Sequence, residues 1–168
     1  MSGAAAGSGA QGGILELEAF AQAVPPSAPL LGLDVGTKTI GLALSDVTHT
    51  IASGLTTLRR SKFTADAARL LEIAGEHGVG GLVVGLPANL DGSEGPRAQA
   101  TRAFARNLSR LTALPMLLWD ERLSTAAAER MLIEADLSRR RRAEVIDKVA
   151  ATLILQSALD RLRRLARA

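Results

Sequence analysis

Cysteine is missing from this chain of 168 residues, and aromatic residues make up only 2% of it. The first absence excludes disulfides, thiolate zinc sites and thiol nucleophiles, and a reducing cytosol suits such a chain. The second argues against a single-strand binder that stacks bases on rings. It also leaves the core to be built from Ala, Leu, Val and Ile. Histidine is nearly as scarce, with only His49 and His77 present. A zinc site is therefore not expected, and any metal would be a hard, oxygen-seeking ion such as Mg2+ or Mn2+. No Lys or Arg precedes Lys38, so neither a secretory n-region nor an Arg-rich transit peptide is present. No apolar run approaches the roughly 18 residues of a membrane span. These absences predict a cytoplasmic protein with no membrane partner.

Hydrophobic residues account for 47% of the chain, enough for one domain with a sizeable core. Net charge is only +3, but it is unevenly spread. From Leu137 onward nine Arg or Lys stand against three Asp or Glu. That asymmetry points to a polyanionic partner, with a solvated helix face as the plainer alternative.

Residues Met1–Gly13 are low-complexity Gly, Ala and Ser. Ile14–Val24 has the composition of a short helix stopped by Pro25-Pro26. Met1–Pro29 therefore reads as a flexible extension outside the core, and residues 30–168 as the domain proper. Leu30–Val35, Thr39–Ser45 and Ile51–Leu58 read as an antiparallel meander. Thr64–His77 has helical spacing, with Ala67, Leu70, Leu71 and Ala74 on one face. LVVGL after Gly80-Gly81 is the continuous apolar run of a strand buried on both sides. Helix Glu94–Leu111 would bury Ala98, Phe104, Ala105 and Leu108. Pro115–Trp119 is a further strand, followed by helices Ala126–Ala135 and Ala143–Leu165. The order β-β-β-α-β-α-β-α predicts an α/β domain with a mixed five-stranded sheet flanked by helices.

Within this frame, Asp34 is a lone carboxylate in the apolar run LLGLDV, costly there unless paired, hydrogen-bonded or bound to a cation. Asp120-Glu121 directly follows PMLLW, where ligands gather at the carboxyl ends of strands in open α/β sheets. Asp147 lies in EVIDKVAATLIL, and the small Ala150 and Ala151 at i+3 and i+4 would let that helix approach the sheet closely. Three carboxylates leaving separate apolar elements suggest a divalent-metal site. Each also has a plainer reading: a turn aspartate for Asp34, a solvated helix face for Asp147, a helix cap for one of the adjacent acids. Of that pair, Glu121 is favoured as the ligand, with Asp120 left to orient Arg122. A two-metal clamp can activate water and stabilise the leaving oxygen of a phosphodiester. Lys38 would then contact a scissile or neighbouring phosphate, and Arg139, Arg140, Arg141 and Arg142 flanking backbone, unless that tract is a solvated connector. Gly85-Leu86-Pro87 with Asn89, Asp91 and Gly92 would border the cleft, although turn chemistry explains the same residues. His49, His77 and Trp119 read as packing or surface residues. Gly36-Thr37-Lys38-Thr39 lacks the GxxxxGK[ST] order of a phosphate loop, and Gly78–Gly81 precedes its strand where a dinucleotide fingerprint must follow one.

Taken together, LDVGTKTIGLALSD, LVVGLPANLDGSEGP, WDERLST and EVIDKVAATLILQ, in this order and spacing, resemble the YqgF/RuvX family. Its members are described as pre-16S ribosomal RNA nucleases or Holliday-junction-resolvase-like proteins. The resemblance spans Leu30–Leu162 and implies an RNase H-like fold with a divalent-cation-dependent phosphodiesterase site. By motif position, Asp34 matches the aspartate of the family's D-x-G-T-K turn, Glu121 the glutamate of D-E-R-L-S-T, and Asp147 the aspartate of the last helix. Ile146 stands where the family usually carries valine. The same turn is similar to the phosphate loop of actin-like ATPases, but those require two related domains and this chain has length for one.

The expectation is therefore a nuclease for structured nucleic acid, with pre-16S ribosomal RNA as substrate and Asp34, Glu121 and Asp147 holding Mg2+ or Mn2+. The alternatives are a resolvase of branched DNA, which needs a homodimer rather than a monomer, and a binding module without turnover.

Overall fold

The apolar run containing Asp34 becomes the central strand of a mixed sheet. The computed structural model describes residues 12–126, 129 and 139–167, the side chains of 139–145 excepted. Strands β1 (Gly13–Leu15), β2 (Leu30–Val35), β3 (Thr39–Ser45), β4 (Ala52–Arg59), β5 (Gly81–Leu86) and β6 (Pro115–Asp120) form one sheet in the order β1-β6-β5-β2-β3-β4. β2, β3 and β4 make the expected antiparallel meander. β5, β6 and β1 extend it in parallel from β2. β2 and β5 are buried along their whole length, as their unbroken apolar sequences require.

Helices α1 (Leu17–Ala23), α2 (Phe63–Glu76), α3 (Pro96–Ser109) and α4 (Arg139–Arg167) complete the described elements. α2 and α3 cover one face of the sheet. Ala67, Leu70, Ile73, Phe104 and Leu108 meet Leu31, Leu33, Ile40, Leu42 and Val84 there. α1 and α4 cover the other face, where Phe20, Ala151, Ile154, Leu155 and Leu159 meet Leu30, Ala43, Val83, Leu117 and Trp119. Burying one leucine such as Leu155 contributes about 1.5–3 kcal/mol.

The sheet has six strands rather than five, and the extra strand comes from the segment read as an extension. Gly13–Leu15 pairs in parallel with β6, Gly13 opposite Pro115 and Leu15 opposite Leu117. Phe20 on α1 is fully buried and Val24 nearly so. The boundary at Pro29 therefore does not separate core from appendage: Gly13–Ala23 adds an edge and a cover to the domain. A three-residue strand is too short to show a period of two, and its flanking glycines and alanines hid it. Residues 1–11 and most of the expected helix Ala126–Ala135 lie outside the described residues.

α4 lies unusually close to the sheet because glycine lines its path. A Cβ on Gly32 would come within 2.7 Å of Leu155 Cβ, and one on Gly41 within 2.0 Å of the Asp147 carbonyl oxygen. With side chains at these points the helix would ride higher, and its carboxylate would be carried away from the strand ends.

Candidate active site

Along β2, Leu31, Leu33 and Val35 face the α2/α3 core, so Gly32 and Asp34 face α4. Asp34 is only 2% exposed. Its cross-strand partner is Gly41, against which the backbone of Asp147 rests. Two residues past Asp34 the chain turns, with Gly36 N–H donating to the Thr39 carbonyl at 2.9 Å. Thr39 is buried, and its hydroxyl donates to Oδ2 of Asp147. A Cβ on Gly36 would stand 2.8 Å from the same oxygen. The carboxylate of Asp147 thus lies against the turn that directly follows Asp34. Ala150 and Ala151 are buried one turn further along α4, as their size predicts.

The third acid arrives from β6. Leu117 and Trp119 belong to the α4 core, whereas Met116 and Leu118 belong to the opposite one. Trp119 Nε1 donates to Ser157 Oγ at 3.1 Å, and that hydroxyl donates to the Leu123 carbonyl at 2.8 Å. This chain of bonds fixes the short 3-10 turn Glu121–Leu123 to α4. Glu121, two positions after Trp119, is 5% exposed, and its carbonyl accepts from Ser124 N (3.1 Å) and Ser124 Oγ (2.7 Å).

Asp120 has a different occupation. Its carboxylate accepts from Arg122 N at 2.9 Å, from Nε at 3.0 and 3.1 Å, and from Nη2 at 2.6 Å. The side-chain bonds from Arg122 hold the Asp120 carboxyl below the ordinary carboxylate range. The structure thus commits Asp120 to Arg122 and buries Glu121. Among the described residues no three His, Asp or Glu side chains are drawn round one point. Asp34 and Glu121 are set on elements that meet α4, and Asp147 lies on α4 itself with its carboxylate turned toward Thr39.

Of the basic residues singled out in the sequence, Lys38 is exposed on the turn after Asp34. Arg122 is held by Asp120 and also reaches the Leu90 carbonyl at 3.4 Å. It therefore belongs to the side of the sheet end bordered by the 88–95 loop. That loop is closed on itself by Asn89 N–H to the Ser93 carbonyl and by Asp91 accepting from Ser93 N, both at 2.9 Å. The side chains of Arg139–Arg142 lie outside the described residues. His77 is exposed, and His49 bonds the Ala28 carbonyl at 2.6 Å, so neither histidine serves the site.

Sequence reasoning missed Thr39, Arg60 and Ser157. For Thr39 a signal existed, since it sits two residues before Gly41 and so on the α4 face of β3. Ser157 and Arg60 act across the fold, and no local pattern marks them. The donor set suits a hard divalent cation: oxygens only, from carboxylates with a hydroxyl beside them.

A mixed sheet covered by helices on both faces, with a long helix laid across its middle strand, is the RNase H-like α/β fold. The chain belongs to the RuvX family, described as Holliday junction resolvase, whose model matches residues 28–161. A curated relative from Paracoccus denitrificans, named "Putative pre-16S rRNA nuclease", is 65% identical over 151 residues, 90% of this chain and 96% of its own. One of the same name from Cereibacter sphaeroides is 64% identical over 151 residues, covering 90% and 94%. Among solved structures, T. thermophilus RuvC in complex with Holliday junction substrate aligns with a TM-score of 0.51 at 14% identity, over 81% of this chain and 96% of that one. That likeness is one of fold. Family and relatives together class the protein as a nuclease, a hydrolase of phosphodiester bonds.

Proposed function

We propose that the protein is a divalent-metal-dependent endonuclease for structured RNA, and that it trims the 5′ end of the 16S ribosomal RNA precursor in the cytoplasm. The observation that carries this reading is the placement of Asp34. It is buried on the α4 side of the middle strand, and its cross-strand neighbour Gly41 and following Gly36 both abut Asp147. Asp34, Glu121 and Asp147 supply the carboxylate oxygens, and Mg2+ or Mn2+ are the ions such oxygens prefer. Divalent cations held there supply the activation of water and the stabilisation of the leaving oxygen that phosphodiester hydrolysis requires. Thr39, whose hydroxyl donates to Oδ2 of Asp147, orients that carboxylate. Residues 30–168 form the nuclease domain, with Gly13–Ala23 as its added edge.

Lys38 contacts phosphate next to the reacting bond. Arg122, aimed by Asp120, and Arg139–Arg142 hold the flanking backbone. Such contacts make binding fall steeply with salt. Among the described residues no helix is long and apolar enough to cross a membrane. Purified as a monomer, the protein would have what single-strand scission of RNA needs.

Depletion of the protein followed by mapping of ribosomal RNA 5′ ends tests substrate and activity together. Unprocessed ends should accumulate, and wild type should rescue them where Asp34→Asn does not. Rescue by Asp34→Asn would refute the reading. The description of the family favours a second substrate, a branched DNA junction. Paired cuts across a junction need two active sites and hence a homodimer. A strict monomer by light scattering, inactive on a four-way junction, removes that reading.

A further inference from the structure

Arg60 directly follows β4, and its contacts run in two directions. Toward the site, its Nη1 donates to the Gly36 carbonyl at 2.8 Å. Its backbone N–H donates to the Lys38 carbonyl, also at 2.8 Å. Both acceptors belong to the turn between Asp34 and Thr39. Away from the site, its guanidinium carbon stands 5.4 Å from the centre of the Phe104 ring on α3. Its Nε is 3.8 Å from Oδ2 of Asp66 on α2.

The far anchors are themselves fixed. Asp66 is 5% exposed and accepts from Ser61 N at 3.0 Å and Ser61 Oγ at 3.1 Å. Phe104 packs edge-on against Phe63, with ring centres 5.3 Å apart. A solvated surface arginine needs none of this. A cation within cation–π reach of a ring, with a carboxylate on one side and a peptide carbonyl on the other, is a strut between the α2/α3 layer and the turn. Lysine cannot reproduce it, because a single ammonium lacks the rigid fork that faces several partners at once.

We propose that Arg60 is a positioning residue of the nuclease site. It sets the Gly36–Lys38 turn, and through Thr39 at the end of that turn it sets where the Asp147 carboxylate lies. Lys38 is placed by the same strut, through the bond to its carbonyl. This inference rests on the nuclease reading of Asp34, Glu121 and Asp147. It adds a residue that need touch neither substrate nor cation. Its importance comes from geometry, since misplacement of a reacting group by about 1 Å can cost of order 100-fold in rate.

The test compares full-length wild type, Arg60→Lys, Arg60→Gln and Asp34→Asn. Amide hydrogen exchange is the first readout. Gly36 N–H, bonded to Thr39, should exchange about tenfold faster in both Arg60 variants, whereas Val83 and Val84 in β5 keep wild-type protection. Cleavage of a precursor RNA fragment spanning the 16S 5′ end is the second. In both Arg60 variants kcat should fall roughly 10–100-fold while KM changes by less than about threefold. Unchanged Gly36 exchange would overturn the strut. Equal acceleration at Gly36 and in β5 would overturn it as well, by showing general destabilisation. A kcat that stays at the wild-type value in Arg60→Gln would overturn the positioning role. Cleavage that survives Asp34→Asn would instead overturn the nuclease site on which the proposal rests.

Discussion

The hydroxyl of Thr39 donates to Oδ2 of Asp147, joining residues 108 positions apart at the mouth of the sheet. One partner begins β3 and the other lies near the start of α4, so the bond ties the first hairpin to the last helix. Thr39→Val keeps the shape and β-branching but removes the donor. It should lower stability by about 1–3 kcal/mol and kcat about tenfold, with Thr39→Ser close to wild type. Denaturant unfolding and single-turnover cleavage of the three proteins check this.

Gly41 sets how close α4 comes. An added Cβ would overlap the Asp147 carbonyl oxygen at 2.0 Å, and backbone cannot yield as a flexible side chain does. Gly41→Ala should destabilise by about 2–4 kcal/mol and abolish cleavage even at temperatures where it remains folded. Gly75→Ala is the control. Nothing lies within 4 Å of that position, inside α2, and the change should be neutral or stabilising by about 0.4–1 kcal/mol. Thermal melts of both variants decide the matter.

The adjacent acids Asp120 and Glu121 should separate on mutation. Glu121→Gln should reduce kcat by roughly 100-fold or more with little change in KM. Asp120→Asn should chiefly raise KM, because it loosens the arginine that Asp120 aims. Equal kcat losses in both would contradict this division of labour.

Both the legible and the hidden parts of this site have physical reasons. β2 and β5 could be read because fully buried strands write continuous apolar runs. The helix faces of Ala67–Ala74 and Ala98–Leu108 could be read because amphipathic spacing repeats. Asp34 stood out since a carboxylate inside such a run is costly. Glu121 could be favoured over Asp120 but not fixed from the residues alone, because nothing local says which of two adjacent acids α4 covers. β1 hid because three residues hold no period. Arg60 and Ser157 hid because their partners are distant in sequence.

Acid should loosen the segment leading into α3. Arg102 grips Glu94 with Nε to Oε1 at 2.6 Å and Nη2 to Oε2 at 2.7 Å. These bonds hold the Glu94 carboxyl below its ordinary value. A lowered folded pKa means that the stabilisation is complete above the unfolded value, about 4.3, and is lost as pH falls through the folded one. Unfolding measured from pH 6 down to pH 3 should therefore show a steeper acid-side loss in wild type than in Arg102→Gln. Superimposable profiles would contradict the linkage.

Anomalous X-ray scattering from crystals soaked in Mn2+ asks most directly whether the three acids act as one site. The expected result is a manganese signal bounded by Asp34, Glu121 and Asp147, absent from crystals of Asp34→Asn. Manganese bound elsewhere, or bound undiminished in that variant, would contradict it.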